Sequence, residues 1–224
     1  DYSQIELRVL AHFSGDDAMV DAFRKNQDIH TRTAAEVFEV PMEEVTPAMR
    51  SDAKAVNFGL VYGISDFGLS RNIGISRKEA AAFIARYFAR YPGIKKFMDD
   101  AVRAGYDMGY STTMMGRRRN LPELKASNAN TRNFGERAAM NTPVQGTAAD
   151  IIKLSMVKVF QALQEGHFAA KLILQVHDEL IIEAPEQETE QVCALLKNCM
   201  EQVISLSVPL VAEVKFGESW YVTK

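Results

Sequence analysis

Apolar and polar positions fall into two periods along this chain. Ile5, Val9, Leu10 and Phe13 recur at helical spacing and stop at Gly15 and two aspartates, which predicts a helix broken at Gly15. Ser3-Gln4-Ile5-Glu6 reads as a capping box, with Ser3 as N-cap and Glu6 at the third helical position. Asp1 and Tyr2 before it read as the end of a strand. Asp28 is a plausible N-cap for a helix over 28–38. Thr46-Pro47 opens another, with proline at the first helical position. Ser76-Arg77-Lys78-Glu79 is a second capping box, and its helix ends at Pro92-Gly93, where a helix over 93–104 begins. Residues 110–121 look like a hairpin with Gly116-Arg117-Arg118-Arg119 at or near its turn. A helical region spans 131–164, and Pro143 should kink or split it.

The second period is two. Lys171–Val176 and 180–184 are short apolar runs that predict strands, with His177, Asp178 and Glu179 in the tight connection. A helix is expected over 185–204. Over 209–216, Leu210, Ala212, Val214 and Phe216 alternate with Val211, Glu213 and Lys215. This pattern predicts a half-buried strand that could join the hairpin in an antiparallel sheet. The ends are β-rich and the middle is helical, so one β-sheet domain with a helical insertion is the simplest organisation.

Composition narrows the class. With 224 residues, 47% of them apolar and 25% charged, the chain is long enough for one or two soluble domains with a core. No run approaches the roughly 18 apolar residues of a membrane span, and none is expected. There is no signal peptide, and a chain opening on DYSQIELR rather than Met reads as cut from a longer protein. Cys193 and Cys199 are six apart on one predicted helix, about 240° of rotation, so they should not bridge. They read as core thiols of a reducing compartment. A formal net charge of −3 does not advertise nucleic-acid binding, which must then come from a local basic surface.

Candidate chemistry centres on Asp178 and Glu179. Adjacent carboxylates at a hairpin tip repel, and a divalent cation held by their oxygens would offset that repulsion. A solvated turn is the plainer reading. Asp1, another carboxylate directly before a helix start, strengthens the metal alternative. Arg50, Lys54, Phe58 and Tyr62 recur every four residues, drifting about 40° per step on one helix face. Cations suit phosphates and aromatic faces suit bases, although an amphipathic helix with a solvated cationic end fits equally. Gly59 and Gly63 in the same helix suggest close approach by something else. His30 lies in a first turn, where free N–H groups favour anions, or is a surface histidine. The three arginines are a solvated loop or the densest positive spot in the chain. Arg137, Asn141 and Gln145, again four apart, satisfy carbonyls freed by Pro143 or face a polar ligand.

DYSQIELR, RSDAKAVNFGLVYG, ERAAMNTPVQGTAADIIK and QVHDEL resemble, in order, sequence blocks of the DNA polymerase I family (family A), from Asp1 to about Trp220. The resemblance implies an α+β fold: an antiparallel palm sheet with packed helices plus an inserted, mostly α-helical fingers subdomain. Residues 1–14 and 129–224 would be palm and 15–128 fingers, with the thumb, any exonuclease domain and the first palm strands absent. It implies addition of deoxynucleotides to a primer 3′-hydroxyl by two-metal-ion nucleotidyl transfer, serving DNA replication and repair. Asp1 and Asp178, with the Tyr2 carbonyl, would hold two Mg²⁺ ions, Mn²⁺ being a possible substitute. Glu179 and Lys54 would complete the catalytic set. Gln4, Glu6, His30, Arg50, Lys54, Phe58 and Tyr62 would bind the incoming nucleotide, Glu6 by blocking a ribose 2′-hydroxyl. Arg137, Asn141, Gln145 and His177 would contact primer–template DNA.

The partners so implied are primer–template, deoxynucleoside triphosphates and the missing thumb and N-terminal domains. A monomer in the cytoplasm of a bacterial or phage-infected cell is expected. With Asp1 first, an α-amino charge sits beside the cation site and a sheet edge is cut. The isolated chain should therefore extend primers very weakly until grafted onto a thumb and N-terminal palm. A phage-type single-subunit RNA polymerase shares the architecture, but a side chain as large as Glu6 argues against ribonucleotides. A nucleotide- or DNA-binding module without turnover is the third alternative. The intact Asp1, Asp178 and Lys54 argue against it.

Overall fold

A computed structural model describes residues 1–223. It is a helix-rich α+β chain with small antiparallel sheets. Helix α1 (Ile5–Ser14) does not begin with a capping box. Gln4 holds the N-cap position in a left-handed conformation (φ 58°) and no side chain caps the helix. The Ser3 N–H donates to Val211 O at 2.9 Å, so it is not free to donate to Glu6 as a capping box requires. Gly15 ends α1 in the left-handed region, as the sequence suggests.

A helix not anticipated follows, α2 (Asp17–Arg24), short and set by its cap. Asp16 Oδ1 accepts from the N–H groups of Ala18 and Met19, while its Oδ2 accepts from Gly93 N at 2.9 Å. One buried carboxylate thus tethers the starts of two helices. Helix α3 (Ile29–Phe38) is capped by Asp28, α4 (Pro47–Val61) by Thr46, and α6 (Arg77–Arg90) by the Ser76–Glu79 box, all three as expected. Between the last two lies α5 (Asp66–Ile73). Helix α7 (Pro92–Met108) runs into the hairpin of β1 (Tyr110–Thr112) and β2 (Arg118–Asn120).

The long helix α8 (Ala129–Glu165) neither splits nor ends at Pro143. Proline lacks the N–H that would bond the carbonyl four residues earlier, that of Ala139. Ser111 of β1 replaces it: its hydroxyl donates to Ala139 O at 3.2 Å. The hydroxyl of Thr142 donates to the neighbouring Ala138 O at 2.6 Å. The freed carbonyl is therefore answered from the hairpin, and Arg137, Asn141 and Gln145 are not needed for that purpose.

Strands β3 (Lys171–Val176) and β4 (Glu179–Glu183) form the second hairpin, with His177 at φ 51° in a two-residue turn. Helix α9 (Thr189–Glu201) is shorter than its expected 185–204, because a 3₁₀ turn takes its first residues. Cys193 and Cys199 are both free; Cys199 is buried and Cys193 only half-buried. The expected strand over 209–216 is reduced to a single bridge, Tyr2 with Ala212, and α10 (Trp220–Thr223) closes the described chain. The alternation is real, since Leu210 and Ala212 are buried, but Phe216 is exposed. Its backbone partner is only Asp1 to Ser3, because α1 then turns away, and a three-residue partner supports no longer ladder.

One continuous core runs from Tyr2 and α1 through α3, α4, α6 and α7 to α8 and α9, and a small second cluster joins Leu121 and Leu124 to Ala138 and Ala139. Among the described residues no helix is long and apolar enough to cross a membrane.

Candidate functional site

The site is assembled from both ends of the chain. Tyr2 N donates to Asp178 O at 3.2 Å, and Glu213 N donates to Asp1 O at 2.9 Å. Asp1 and Tyr2 are thereby held between the β3–β4 turn and the 211–213 segment, so Asp1 and Asp178 become neighbours despite their separation in sequence. Tyr2 anchors this arrangement from inside. Its ring is buried, and its hydroxyl donates to Met200 O at 2.7 Å and lies 2.7 Å from Ser155 Oγ. Burial pushes that hydroxyl up to about 12, so it stays protonated and donating. Glu179 starts β4, and its Oε1 accepts from Trp220 Nε1 at 2.8 Å. Arg8, buried on α1, donates to Ser3 O and Pro209 O and fixes the chain entering the 211–213 segment.

A cavity of about 500 Å³ opens beside Asp178. Gln4, Glu6, His30, Arg50, Lys54, Phe58, Gln145 and His177 also line it. A second, of about 760 Å³, lies on the other flank of α4, bordered by Lys54, Phe58, Tyr62 and Arg137. The α4 stripe therefore borders both cavities. Arg50 and Lys54 are exposed and Phe58 half-buried, while Tyr62 sits just past the helix end at its C-cap. Asp1, Tyr2, Glu179 and Asn141 line neither cavity. Asn141 Oδ1 is buried and has no hydrogen-bond partner among the described residues.

Glu6, freed from capping, accepts a hydrogen bond from the Tyr62 hydroxyl. Burial first, and then the Glu6 carboxylate, push that hydroxyl up to about 12. Gly63 lets this end of α4 meet α8. At φ 71° it lies in the left-handed region, and a Cβ there would come within 2.8 Å of Arg137 Cγ. The expectation of close approach at a glycine holds here, and the approaching group is α8. Gly59, one turn earlier, packs on Ile64, which lies just past the end of α4.

His30 is not a surface histidine: only 2% of it is exposed. Burial pulls its ring down to about 4, and the Arg50 and Lys54 charges add to this against the pull of Asp28, so it is neutral at neutral pH. Asp28 does more than cap α3. Its Oδ2 also accepts from Arg50 Nε at 2.6 Å. Burial opposes the charge on Asp28, but the Arg50 bond and those from Thr31 and His30 hold its carboxyl below the usual range. This role was invisible in sequence because the partners are 22 residues apart; the cap signal alone marked Asp28. Asn57, fully buried one residue before Phe58, also went unmarked, having no place in the stripe.

The arginine hairpin divides its roles. Arg117 Nη2 lies 2.6 Å from the buried Asp150 Oδ1, and Thr113 Oγ1 donates to Asp150 Oδ2 at 2.6 Å. Arg118 lies over the Tyr110 ring. Two of the three arginines thus have structural partners, a role that neither the solvated-loop reading nor the positive-spot reading anticipates.

A sequence model of DNA polymerase family A matches residues 1–222. DNA polymerase I of Caldicellulosiruptor bescii is 56% identical over all 224 residues, and that of Bacillus subtilis 55%; the chain spans 26% of each. Among solved structures, the POL domain of Pol1 from M. smegmatis in complex with DNA primer-template and dNTP superposes with a TM-score of 0.96 at 43% identity. That match covers 100% of this chain and 39% of the other. The chain thus spans about a quarter of the length of these curated relatives. With its whole described length matched in sequence and in fold, this chain belongs to DNA polymerase family A.

Proposed function

We propose that this chain is the catalytic palm and fingers part of a template-directed DNA polymerase, adding deoxynucleotides to a primer 3′-hydroxyl. The observation that carries this reading is one cavity in which Arg50, Lys54 and His30 face the same space as Asp178. Cations and a neutral N–H suit a triphosphate, and a carboxylate suits the divalent cation that accompanies it. Family membership supports the reading, as does the likeness to a POL domain solved with primer-template and dNTP.

The donor set fits Mg²⁺. Asp1 and Asp178 carry hard oxygens, and the backbone bond from Tyr2 N to Asp178 O brings the two residues together. Two carboxylates leave coordination positions for substrate oxygens, as a phosphoryl-transfer site requires. Asp1, Asp178 and the Tyr2 carbonyl would hold two ions, Mg²⁺ or in its place Mn²⁺. Bound there, the ions would make the primer hydroxyl a better nucleophile and offset charge on the leaving pyrophosphate. Lys54 and Arg50 would grip the triphosphate, Lys54 nearest the charge that develops during transfer, and His30 would donate to it. Phe58 would pack on the sugar and base, with Gln4 and Glu6 at the sugar and Glu6 filling the place of a 2′-hydroxyl. Tyr62 would stack at the templating position. Arg137, Asn141, Gln145 and His177 would contact primer–template. Glu179 would support the primer end of the site. In this reading residues 1–14 and 129–224 are palm and 15–128 fingers, and the rest of a polymerase is a required partner.

Primer extension with Mg²⁺ tests the proposal, in a chimaera that supplies the remaining length of a relative. Extension with deoxynucleotides but not ribonucleotides is expected. Asp178→Ala should lower it by on the order of 10³-fold with primer–template affinity little changed. Preference for ribonucleotides, or an Asp178→Ala chimaera as fast as its parent, would refute the assignment.

A further inference from the structure

His30 is held by a buried network that the proposed chemistry does not use directly. Asn57 is fully buried, and its Nδ2 lies 3.0 Å from His30 Nδ1. Thr33 is also fully buried, and its Oγ1 lies 3.2 Å from both Oδ1 and Nδ2 of Asn57. The Thr33 hydroxyl lies 3.5 Å from that of Tyr91, which in turn donates to Glu36 Oε2 at 2.8 Å. Helices α3, α4 and α6–α7 are thus joined through one line of side chains, and the His30 ring at its end lines the cavity that Arg50 and Lys54 share.

The direction of these bonds decides what the ring presents. An amide nitrogen only donates, and Asn57 Nδ2 lies 3.0 Å from His30 Nδ1 and 3.2 Å from Thr33 Oγ1, so its two hydrogens serve the ring and that hydroxyl. His30 Nδ1 must then be the bare nitrogen, and a neutral imidazole carries its one proton on Nε2. Phosphate oxygens only accept, so a neutral histidine serves them only if the nitrogen it offers bears hydrogen. We propose that Asn57 is a positioning residue that holds His30 as its Nε2–H tautomer, so that a neutral N–H joins Arg50 and Lys54 at the nucleotide phosphates. The inference rests on the assignment of His30 to the triphosphate. The low affinity of the ring for a second proton agrees with it, since a charged ring would need both nitrogens to donate and would turn Nδ1–H on the Asn57 amide hydrogens.

Nitrogen-15 NMR of the histidine-labelled chain at neutral pH reads the tautomer without any substitution. A protonated Nε2 and a bare Nδ1 at His30 are expected, and a protonated Nδ1 would overturn the proposal. The affinity for a deoxynucleoside triphosphate with Mg²⁺ is then measured for four chains: parent, Asn57→Leu, His30→Ala and the double variant. Asn57→Leu should weaken binding about 10-fold in the parent but less than about twofold when His30 is already alanine. Equal losses in both backgrounds would show that Asn57 only supports the fold, and would overturn the proposal. If Asn57→Leu does not fold, Thr33→Val, which removes the hydroxyl that both Asn57 amide atoms contact, takes its place in the same four-way comparison. His30→Ala binding as tightly as the parent would instead overturn the phosphate assignment, while the spectrum still decides the tautomer.

Discussion

His30, with 2% of its surface exposed, ties nucleotide recognition to acid stability. Its ring titrates at about 4 when folded and at the ordinary 6.5 when unfolded. Between those values the unfolded chain binds a proton that the folded chain refuses, so stability falls as pH drops from 6.5 towards 4 and levels off below. The full swing is about 3 kcal/mol. Asp28 acts in a lower window: its depressed carboxyl contributes above 3.8, and that contribution is lost as pH falls through its folded value. Urea midpoints from pH 3 to 8 should therefore show a slope between 4 and 6.5 that His30→Gln flattens, with the decline below 3.8 unchanged. A second residue-scale expectation concerns Lys54. In the chimaera, Lys54→Ala should cost about 2–4 kcal/mol in kcat/KM for the incoming triphosphate and much less in primer–template affinity. A third concerns Glu6: Glu6→Ala should raise ribonucleotide incorporation, measured as the ratio of kcat/KM values for the two sugars.

At the scale of elements, the joints between helices carry the sharpest expectations. Asp16 caps α2 and also holds the first turn of α7, so Asp16→Ala should cost more than a single cap, about 2–3 kcal/mol in thermal or urea unfolding. The partner position is equally constrained, because a Cβ on Gly93 would stand 3.0 Å from Asp16 Cα. Signals confined to one turn of chain were readable in advance: the caps at Asp28, Thr46 and Ser76, both hairpins, and the spacing of the α4 stripe. Three kinds of feature were not. The capping box at Ser3 does not form because the Ser3 N–H is committed to Val211, a constraint from the far end of the chain. Residues 209–216 have the alternation of a strand, but a ladder also needs a partner as long as itself. Asn57 and Arg8 are polar residues buried by tertiary structure, and nothing in their local pattern separates them from solvated neighbours. The site followed the same rule. The α4 residues were legible as a set, whereas the Asp28–Arg50 pair and the Asn57–His30 pair needed α3 laid against α4.

For the molecule as a whole, the shared core means that no subdomain is held by its own apolar residues alone: α1, α3 and α7 bury side chains against the same cluster as α8 and α9. The helix that crosses this core is α8, and Ser111 answers the carbonyl that Pro143 leaves free. At 37 residues, α8 is long enough that its two halves could open separately, and Pro143 marks where they would part. A hydroxyl on a three-residue strand is then the stitch that makes the halves one cooperative unit. Amide hydrogen exchange reads such units directly, since backbone amides exchange through local openings as well as through global ones. In the intact chain, amides on either side of residue 143 should exchange with one common opening free energy. In Ser111→Ala, those within a turn of the proline should exchange about 10-fold faster, while amides near Ile151 and Ile152 keep their protection. The long helix would then behave as two shorter ones joined at a hinge.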